Sequence, residues 1–547
     1  MKRFWRILRR RFKIPLIIFA IVACQAATNI WYIASQKTGN PNPGDEAAHV
    51  QEIMQHYNRG WASLWDSVYP PFYFFVSLVL HHLAGKSFQV SILANLPFFL
   101  ALIAGVYGIV FRLTKNPLAG LFAMLLVSCY PMVSLLSRMV MFEFPLAGMV
   151  ALAVWLLLET EGFSRRGATL IFGLVCGLGQ LTRESFIVFV IGPILFEIVR
   201  SLFVNAKSDT TASRSQVAVN FALAAAVALA LPALWYAKDL STKVMMARLS
   251  ATLQPNHPEI NFFSWRGMLF YPYTILELSL SIWLSLPCIA ALLGFFRQTS
   301  PQRWVMLPWI IVPWIFFSNL DWKLARYLTA MLPALAVITA VGLFAIKRSM
   351  LRRSLVIATS AVAFFLWVAL TFGVMPKDSL IENGLPAYVT GFRLLPRDYR
   401  ADIHVGPPER ESWPLEEIAG LIAKTSKLPD GGTVVRFLNR PEHSALYENQ
   451  LSFPLHYFIA RDRLTVELLD YYFDENNVMQ RLWWRRKGAL ETELAHADLL
   501  VSYGADFPSI LRQETRWVLV KRFNDRGIEK DVYFNAERVP ASFFQMQ

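Results

Sequence analysis

The sequence predicts a polytopic α-helical membrane protein of about eleven spans, followed by a soluble α/β domain at the C-terminus. Three observations predict this fold class. Apolar runs separated by basic clusters fill the chain before Pro376, and the residues after it alternate helix-like with strand-like runs. The 547 residues are 55% hydrophobic and only 17% charged, whereas soluble globular proteins carry about 25% charged residues. This composition excludes a disordered protein.

A membrane-spanning helix needs about 20 predominantly apolar residues, and roughly eleven segments qualify. These predicted spans are 14–34, 90–111, 117–136, 143–159, 168–182, 185–199, 216–236, 273–296, 304–318, 325–346 and 354–375. The apolar residues 70–84 could form a further span, but a crossing there would place four basic clusters on the wrong side. We therefore expect a helix that lies along the outer interface. The start of the chain resembles a lipoprotein signal as well, yet its apolar run continues to Ile33 and favours an anchor.

The net charge of +14 comes from the membrane part, where 31 basic residues oppose 14 acidic ones before Pro376. These basic residues form short clusters in alternate connections, such as Arg165-Arg166 and Lys347-Arg348. Cytoplasmic loops of membrane proteins show this pattern, whereas a nucleic-acid groove does not. With seven basic residues up to Lys13, the N-terminus is predicted to be cytoplasmic. An odd number of spans then places the C-terminal domain outside the cytoplasm of a cytoplasmic (inner) membrane.

The C-terminal part, 376–547, is predicted to be a soluble α/β domain. We expect a helix from Pro414 to Lys427 and strands at Gly432–Leu438, Leu464–Leu469, Ala497–Tyr503 and Trp517–Phe523. The sequence contains no phosphate loop, nucleophile elbow or metal-spaced Cys/His cluster in this part. The four cysteines of the chain all lie in apolar segments, so neither a disulfide framework nor a structural zinc site is predicted.

The densest polar group in the predicted outer loops is Asp45-Glu46 with His49 one helical turn later. One interpretation is structural: Asp45 caps a helix from Glu46 to about Asn58, and Gly60 ends it. The other is functional, because two carboxylates and an imidazole on one turn can share a proton or hold a divalent cation. A partly desolvated carboxylate also becomes a better base. The residues alone favour neither interpretation.

Five motifs in order resemble the GT-C superfamily of membrane glycosyltransferases. The similarity is to the branch of the protein O-mannosyltransferases, the lipid A aminoarabinose transferase and other phospholipid-carrier-dependent bacterial transferases, and it covers about 340 residues. The motifs are Gly44-Asp45-Glu46-Ala47-Ala48-His49, Tyr69-Pro70-Pro71-Phe72-Tyr73, Ser137-Arg138 through Glu143-Phe144-Pro145, Gly173 to Arg183, and Lys323 to Pro333. Two positions depart from the family pattern: Tyr69 stands where relatives often have Lys or His, and Glu143 where many have Asp.

The resemblance implies transfer of a sugar from a polyprenyl-phosphate carrier to a lipid, glycan or protein acceptor on the outer face, with inversion. Asp45 would then be the general base, and Glu46 would position the acceptor or a metal. The other implied roles are carrier-phosphate binding for Arg138, Lys323 and Arg326, with Arg183 and Arg266 as weaker candidates. An acceptor or carrier pocket is implied for His49, Tyr69, Pro70, Pro71 and Tyr73, and metal ligation for Glu46, His49 and Glu143.

Two questions stay open at the level of the sequence. The family includes members with and without a divalent cation, so the cofactor is unknown. A transporter or flippase for a lipid-linked sugar is the alternative function, although the spans are nearly free of charge and the charged residues crowd the outer ends. The expected domains are a transmembrane transferase domain, 1–375, with a catalytic first outer loop at about 35–89, and the outer domain, 376–547.

Overall fold

The computed structural model describes residues 2–35, 45–205, 213–241, 243–245, 265–320 and 323–372. In the C-terminal part it describes residues 381–382, 385–386, 417, 420, 421, 423, 433–439, 466–473, 479–481, 498–503, 517–525 and 528–538. The chain divides into two compact units. Unit 1 comprises Met1–Tyr32, Ala62–Ser77 and Ile92–Pro408, and unit 2 comprises Ile33–Trp61, Leu78–Ser91 and Glu409–Gln547. The functional division at residue 375 stays a prediction.

Helices fill the described part of the chain before residue 373, and every predicted span coincides with one or two of them. The α-helices are α1 (Lys2–Ser35), α2 (Asp45–Arg59), α3 (Phe72–Ala84), α4 (Phe88–Leu93), α5 (Asn95–Thr114), α6 (Pro117–Cys129), α7 (Pro131–Leu136), α8 (Glu143–Glu159), α9 (Arg166–Gln180), α10 (Phe186–Asn205), α11 (Arg214–Lys238), α12 (Trp265–Thr274), α13 (Ile282–Arg297), α14 (Met306–Ser318), α15 (Leu332–Phe344) and α16 (Ser349–Phe372). A π-helical turn, Ile275–Ser279, follows α12. Short 3-10 helices lie at Trp61–Asp66, Pro301–Val305 and Ala325–Met331.

Among the described residues, four helical segments are long and apolar enough to cross a membrane: Phe88–Thr114, Arg214–Lys238, Ala325–Phe344 and Ser349–Phe372. A bent pair of helices raises the number to five if the pair counts as one span. Helix α3 is apolar but has only 13 residues, less than the roughly 20 needed for a straight crossing.

The predicted span 273–296 was wrong as a continuous helix. The segments Gly267–Ser279 and Ile282–Arg297 meet at 116°. The break lies where Ser281 adopts a left-handed φ of 69°, a conformation that few residues other than glycine adopt. The Ser285 hydroxyl lies 2.8 Å from the Leu276 carbonyl oxygen and 2.9 Å from that of Ser281, so its one proton can be donated to either. The Ser281 carbonyl also accepts from the backbone N–H of Ser285 at 3.0 Å, so the hydroxyl is available to the Leu276 carbonyl before the break, as an apolar environment requires.

The predicted span 117–136 is also divided, between α6 and α7. Tyr130 has an extended backbone with ψ of 129° and directly precedes Pro131. The proline ring disfavours helical geometry in the residue before it. Pro131 was therefore a local signal for this break. Its effect on the backbone of Tyr130 interrupts the helix even though the apolar composition continues across it.

Glycines allow two close helix crossings inside unit 1. At the crossing of α5 with α8, a Cβ on Gly105 would overlap the backbone of Ala151. At the crossing of α13 with α15, a Cβ on Gly342 would overlap the carbonyl oxygen of Ala291. Small residues at such crossings let helix backbones approach closely in membranes.

Replacing Gly342 with alanine is therefore expected to lower the free energy of unfolding by about 1–3 kcal/mol, because the added methyl must separate two backbones. Gly167, near the start of α9, is the matched control, since a Cβ there meets no atom within 4 Å. Unfolding by SDS titration in mixed micelles measures both variants. Equal effects of Gly342→Ala and Gly167→Ala would contradict the tight crossing.

The described strands of the C-terminal part form a small hairpin and a mixed sheet. Strands β1 (Ile381–Glu382) and β2 (Leu385–Pro386) pair antiparallel. The sheet contains β3 (Thr433–Asn439), β4 (Val466–Phe473), β5 (Met479–Arg481), β6 (Leu499–Tyr503), β7 (Trp517–Asp525) and β8 (Ile528–Asn535). Their order is β5-β4-β3-β6-β8-β7, and β3 runs parallel to both β4 and β6. Each of the four predicted strands overlaps an observed one. Most of the predicted helix 414–427 lies outside the described residues.

Candidate active site

A buried carboxylate between two guanidinium groups is the central polar feature of unit 1. Glu143 begins α8 and is 2% exposed. Its Oε1 accepts from Arg183 Nη1 at 2.7 Å and from Arg326 Nε at 3.0 Å. Arg183 follows the C-terminal end of α9, and Arg326 lies on the 3-10 helix Ala325–Met331. Three distant parts of the sequence therefore meet at one carboxylate oxygen.

Not every polar atom of this cluster is satisfied among the described residues. Two arginines face one carboxylate, and the second oxygen, Glu143 Oε2, is buried without a hydrogen-bond partner. Lys323, three residues before Arg326, is also 2% exposed, and its ammonium group donates to the Leu320 carbonyl. Buried cations with several N–H donors are suited to the binding of an anion such as a phosphate.

Further buried polar atoms without a partner lie on segments that pack around the same 3-10 helix. They include the hydroxyl oxygens of Ser281 and Ser318. Ser281 follows the π-helical turn Ile275–Ser279 and Ser318 ends α14, and both of these elements contact Ala325–Met331. Unsatisfied buried polar groups are few in folded proteins and mark places where water or a ligand is bound. The hydroxyl groups of Ser281 and Ser318 are therefore candidates for hydrogen bonds to water or a ligand.

The Tyr-Pro-Pro-Phe-Tyr motif lies in unit 1 beside the residue that precedes Glu143. The ring of Tyr69 lies 5.3 Å from that of Phe142, and the ring of Tyr73 lies 5.5 Å from it. Tyr69 is 39% exposed, whereas Tyr73 is fully buried. The backbone N–H of Phe72 donates to the carbonyl of Leu181 at 2.8 Å, which ties the start of α3 to the turn that carries Arg183. Pro70 and Pro71 are both buried.

Asp45, Glu46 and His49 occupy the first turns of α2 in unit 2. Asp45 is exposed, whereas Glu46 and His49 are 2% and 5% exposed. The helix ends as expected, since Gly60 has φ of 88° and its N–H donates to the His56 carbonyl at 2.8 Å. The motif residues 41–44 lie outside the described part of the chain. The catalytic role of Asp45 stays a prediction.

No group of three His, Cys, Asp or Glu side chains suited to a metal ion occurs within the residues that the structure describes. The proposed ligands Glu46, His49 and Glu143 therefore stay a prediction. For Glu143 the observed partners are two cations, which compete with a metal for its Oε1.

Arg138 lies in a different environment from Arg326. Its Nε donates to Asn29 Oδ1 at 3.2 Å and its Nη2 to the Thr371 hydroxyl at 2.6 Å. Its guanidinium lies over the Tyr32 ring at 4.9 Å. These partners belong to α1 and α16, and the predicted contact of Arg138 with the carrier phosphate stays a prediction.

The histidine pair of α3 connects elements of unit 2. His81 is fully buried, and its Nδ1 lies 3.0 Å from the Gly85 carbonyl while its Nε2 lies 2.9 Å from the Ser91 hydroxyl. These partners assign the proton to Nδ1, with Nε2 accepting from Ser91. The exposed His82 ring stacks between Tyr57 at 4.7 Å and Trp61 at 5.0 Å. Together these contacts join α2 and α4 to α3.

Acidification is expected to destabilise this connection through His81. Burial lowers the pKa of His81, the hydrogen bond to Gly85 opposes that shift, and the neighbouring His82 adds to it. The unfolded chain therefore takes up the proton first. The contribution of neutral His81 to the stability of the fold is complete above about pH 6.5, the pKa of a histidine in the unfolded chain. This contribution is lost as the pH falls through the lower pKa that His81 has in the folded protein. In thermal unfolding measured from pH 7.5 to pH 5, the unfolding temperature of His81→Gln should fall less on acidification than that of His82→Gln. If the unfolding temperature of His81→Gln falls on acidification as much as that of the wild type, this role of His81 is contradicted.

Two buried or half-buried charged residues of this region received little or no weight at the level of the sequence. Arg183 was ranked as a weak candidate beside an adjacent Glu184, yet its partner is Glu143, forty residues earlier in the chain. Glu277 was not singled out, although it is 2% exposed on the π-helical turn. A charged residue inside an apolar segment was the available signal, and π-helical turns often occur at functional sites.

The structure is similar to that of ArnT from Cupriavidus metallidurans in the apo state, with a TM-score of 0.58, 15% identity, and coverage of 96% of this chain and 98% of that chain. ArnT bound to undecaprenyl phosphate gives a TM-score of 0.58 at 14% identity, with the same coverage. The apo oligosaccharyltransferase of Archaeoglobus fulgidus gives a TM-score of 0.48 at 13% identity, covering 82% of this chain and 64% of that chain.

Residues 68–236 match the family model described as dolichyl-phosphate-mannose-protein mannosyltransferase. The matched range contains the Tyr-Pro-Pro motif, Arg138, Glu143 and Arg183. The resemblance to the GT-C superfamily, in its branch of ArnT and the protein O-mannosyltransferases, is thereby confirmed. A search of curated protein sequences finds no significant match.

Proposed function

We propose that this protein transfers a sugar from a polyprenyl-phosphate carrier to an acceptor at the outer face of a cytoplasmic membrane. The observation that carries the proposal is the buried Arg183–Glu143–Arg326 cluster. The ArnT-like fold and the mannosyltransferase family match support the same reaction class. The undecaprenyl phosphate in the second ArnT structure is a carrier of the proposed type.

In the proposed mechanism, Lys323 and Arg326 bind the carrier phosphate and stabilise it as it leaves. Arg326 has a fixed direction because its Nε donates to Glu143 Oε1 at 3.0 Å. Charge-assisted hydrogen bonds from such a preoriented group are about twice as strong as neutral ones. Groups fixed before the reaction stabilise developing charge without a cost of reorganisation.

Asp45 is the proposed general base. It removes the proton of the acceptor hydroxyl while the hydroxyl oxygen attacks the anomeric carbon, and the carrier phosphate leaves from the opposite face with inversion. Its exposed position at the start of α2 leaves the carboxylate accessible to an acceptor. Glu46 and His49 would orient the acceptor from the same turn, and Tyr69 offers an exposed ring for sugar or carrier contact.

The proposed topology follows from the distribution of charge. Eleven spans, a cytoplasmic N-terminus and an outer α/β domain place Asp45, Arg183, Lys323 and Arg326 at the outer ends of the spans. Nucleotide sugars are absent on that side of the membrane, so a lipid-linked donor is the chemically reasonable substrate. The partners are then this donor, membrane lipids and a lipid, glycan or protein acceptor.

The decisive experiment measures release of radiolabelled sugar from polyprenyl-phosphate hexoses and pentoses by the purified protein in nanodiscs, with and without a chelator. Slow hydrolysis by water makes knowledge of the acceptor unnecessary. We expect turnover by the wild type and its loss in Arg326→Gln. The chelator arm determines whether a divalent cation takes part. Tight binding of the carrier sugar by well-folded protein, without any turnover, would instead support the flippase alternative.

A further inference from the structure

Arg138 is a buried cation whose charge no described side chain balances. It is 6% exposed, and its hydrogen bonds go to the neutral side chains of Asn29 and Thr371. Its third nitrogen, Nη1, has no hydrogen-bond partner among the described residues. A charge taken out of water without an opposite charge is costly, so this position calls for an anion that the described chain does not provide.

A dense polar network fixes the position of this guanidinium. Asn29 Nδ2 donates to the carbonyl of Ser137 at 3.1 Å, and Gln25 Nε2 donates to the Ser137 hydroxyl at 2.7 Å. Asn95 Nδ2 donates to the carbonyls of Ser137 and Met139 at 3.1 and 2.8 Å. The backbone on both sides of Arg138 is thus held by α1 and α5. The guanidinium cannot move to solvent without breaking these contacts.

An exposed aromatic strip lies next to the network on the outside of α1 and α16. Trp31 and Phe372 are 41% and 44% exposed, and their ring centroids are 4.8 Å apart. Phe372 follows Thr371 directly, and Trp31 lies between Asn29 and Tyr32. The strip is continued by Trp367, whose ring lies 6.1 Å from Phe372. These residues lie near the predicted outer ends of spans 14–34 and 354–375, the depth at which aromatic side chains and lipid headgroups meet.

We propose that Arg138 and this aromatic strip form a site for one anionic phospholipid of the outer leaflet, separate from the Arg183–Glu143–Arg326 cluster. The lipid phosphate would accept a hydrogen bond from Arg138 Nη1 and balance the buried charge. One acyl chain would lie against Trp31 and Phe372. An apolar surface directly beside an uncompensated cation matches both parts of a phospholipid, whereas free phosphate would use only the cation. The lipid would join α1 to α16 at the segment that leads to Glu143.

Native mass spectrometry of the full chain tests the site by titration of delipidated protein with phosphatidylglycerol and, separately, phosphatidylcholine. We expect the wild type to bind one phosphatidylglycerol about tenfold more tightly than phosphatidylcholine, because the choline cation of phosphatidylcholine offsets its phosphate charge, whereas phosphatidylglycerol is net anionic and can balance Arg138. Arg138→Gln should lose this preference. Lys238→Gln is the control, since Lys238 is a half-exposed cation paired with Asp66, and it should keep the preference.

A second variant, Trp31→Ala, leaves the polar network intact. It should weaken phosphatidylglycerol binding only by removing the contact of Trp31 with the acyl chain of the lipid. This variant keeps the proposal testable if Arg138→Gln fails to fold. An equal preference for phosphatidylglycerol in Arg138→Gln and in the wild type would overturn the proposal. So would displacement of the bound lipid by one equivalent of undecaprenyl phosphate, which would assign the site to the carrier. Binding of inorganic phosphate with the same affinity would also overturn it. None of these measurements depends on transferase activity.

Discussion

Replacing Asp45 with asparagine is expected to reduce the rate of sugar transfer by a factor of about 10²–10⁴, the typical contribution of a positioned general base. Asparagine keeps the size and the capping ability of the side chain but cannot accept a proton. Because Asp45 is exposed at the start of α2, the free energy of unfolding should change by only about 0.5 kcal/mol. The rate constant for release of radiolabelled sugar from the carrier, measured beside unfolding in mixed micelles, separates these two effects.

Glu52→Gln is the matched control for this variant. Glu52 lies on the same helix, 3.5 Å from the imidazole of His56, and no catalytic role is assigned to it. We expect its transfer rate to stay close to that of the wild type. A rate in Asp45→Asn equal to that of Glu52→Gln would remove Asp45 from the proposed mechanism but would not test the proposed carrier binding by the Arg183–Glu143–Arg326 cluster. Loss of activity in both variants would point to a disturbed α2 helix.

Replacing Glu143 with glutamine is expected to destabilise the protein by about 3–5 kcal/mol, because the change leaves buried arginines without their carboxylate. Arg326 is 6% exposed, and Arg183 retains 24% side-chain exposure, so Arg326 should account for most of the loss. Transfer should also fall, since Arg326 would no longer be held in one direction. SDS-titration unfolding gives the stability, and the carrier-release assay gives the rate.

Glu159→Gln provides the comparison for this stability effect. Glu159 pairs with Arg112 at 3.0 Å but keeps 29% side-chain exposure, and exposed pairs contribute only about 0–1 kcal/mol. In the double variant Glu143→Gln/Arg326→Gln, the loss should be smaller than the sum of the single losses, with a coupling of about 0.5–3 kcal/mol. Additive losses of stability in the double variant would show that Glu143 and Arg326 are not energetically coupled. Equal losses in Glu143→Gln and Glu159→Gln would show that burial does not strengthen the Glu143 pairs.

The candidate site was only partly predictable from the sequence. Asp45, Glu46 and His49 follow from local spacing, since one helical turn brings positions 45, 46 and 49 onto neighbouring parts of α2. Lys323 and Arg326 were found through a motif. The link from Arg326 to Glu143 spans 183 positions, and no local periodicity encodes such a separation. Arg138 was grouped with Lys323 and Arg326 by motif, although its observed partners are Asn29 and Thr371.

The sequence by itself determined where the helices of the membrane part lie, because apolar runs and basic clusters act locally and an isolated helix satisfies its own backbone. It also determined the helix that begins at Asp45 and ends at Gly60. Only the tertiary structure decided that Arg183 and Arg326 share one carboxylate oxygen, and that the span near Ser281 is broken. The first depends on packing between distant helices. The second depends on a left-handed backbone that neighbouring hydroxyl groups stabilise, and composition does not reveal it.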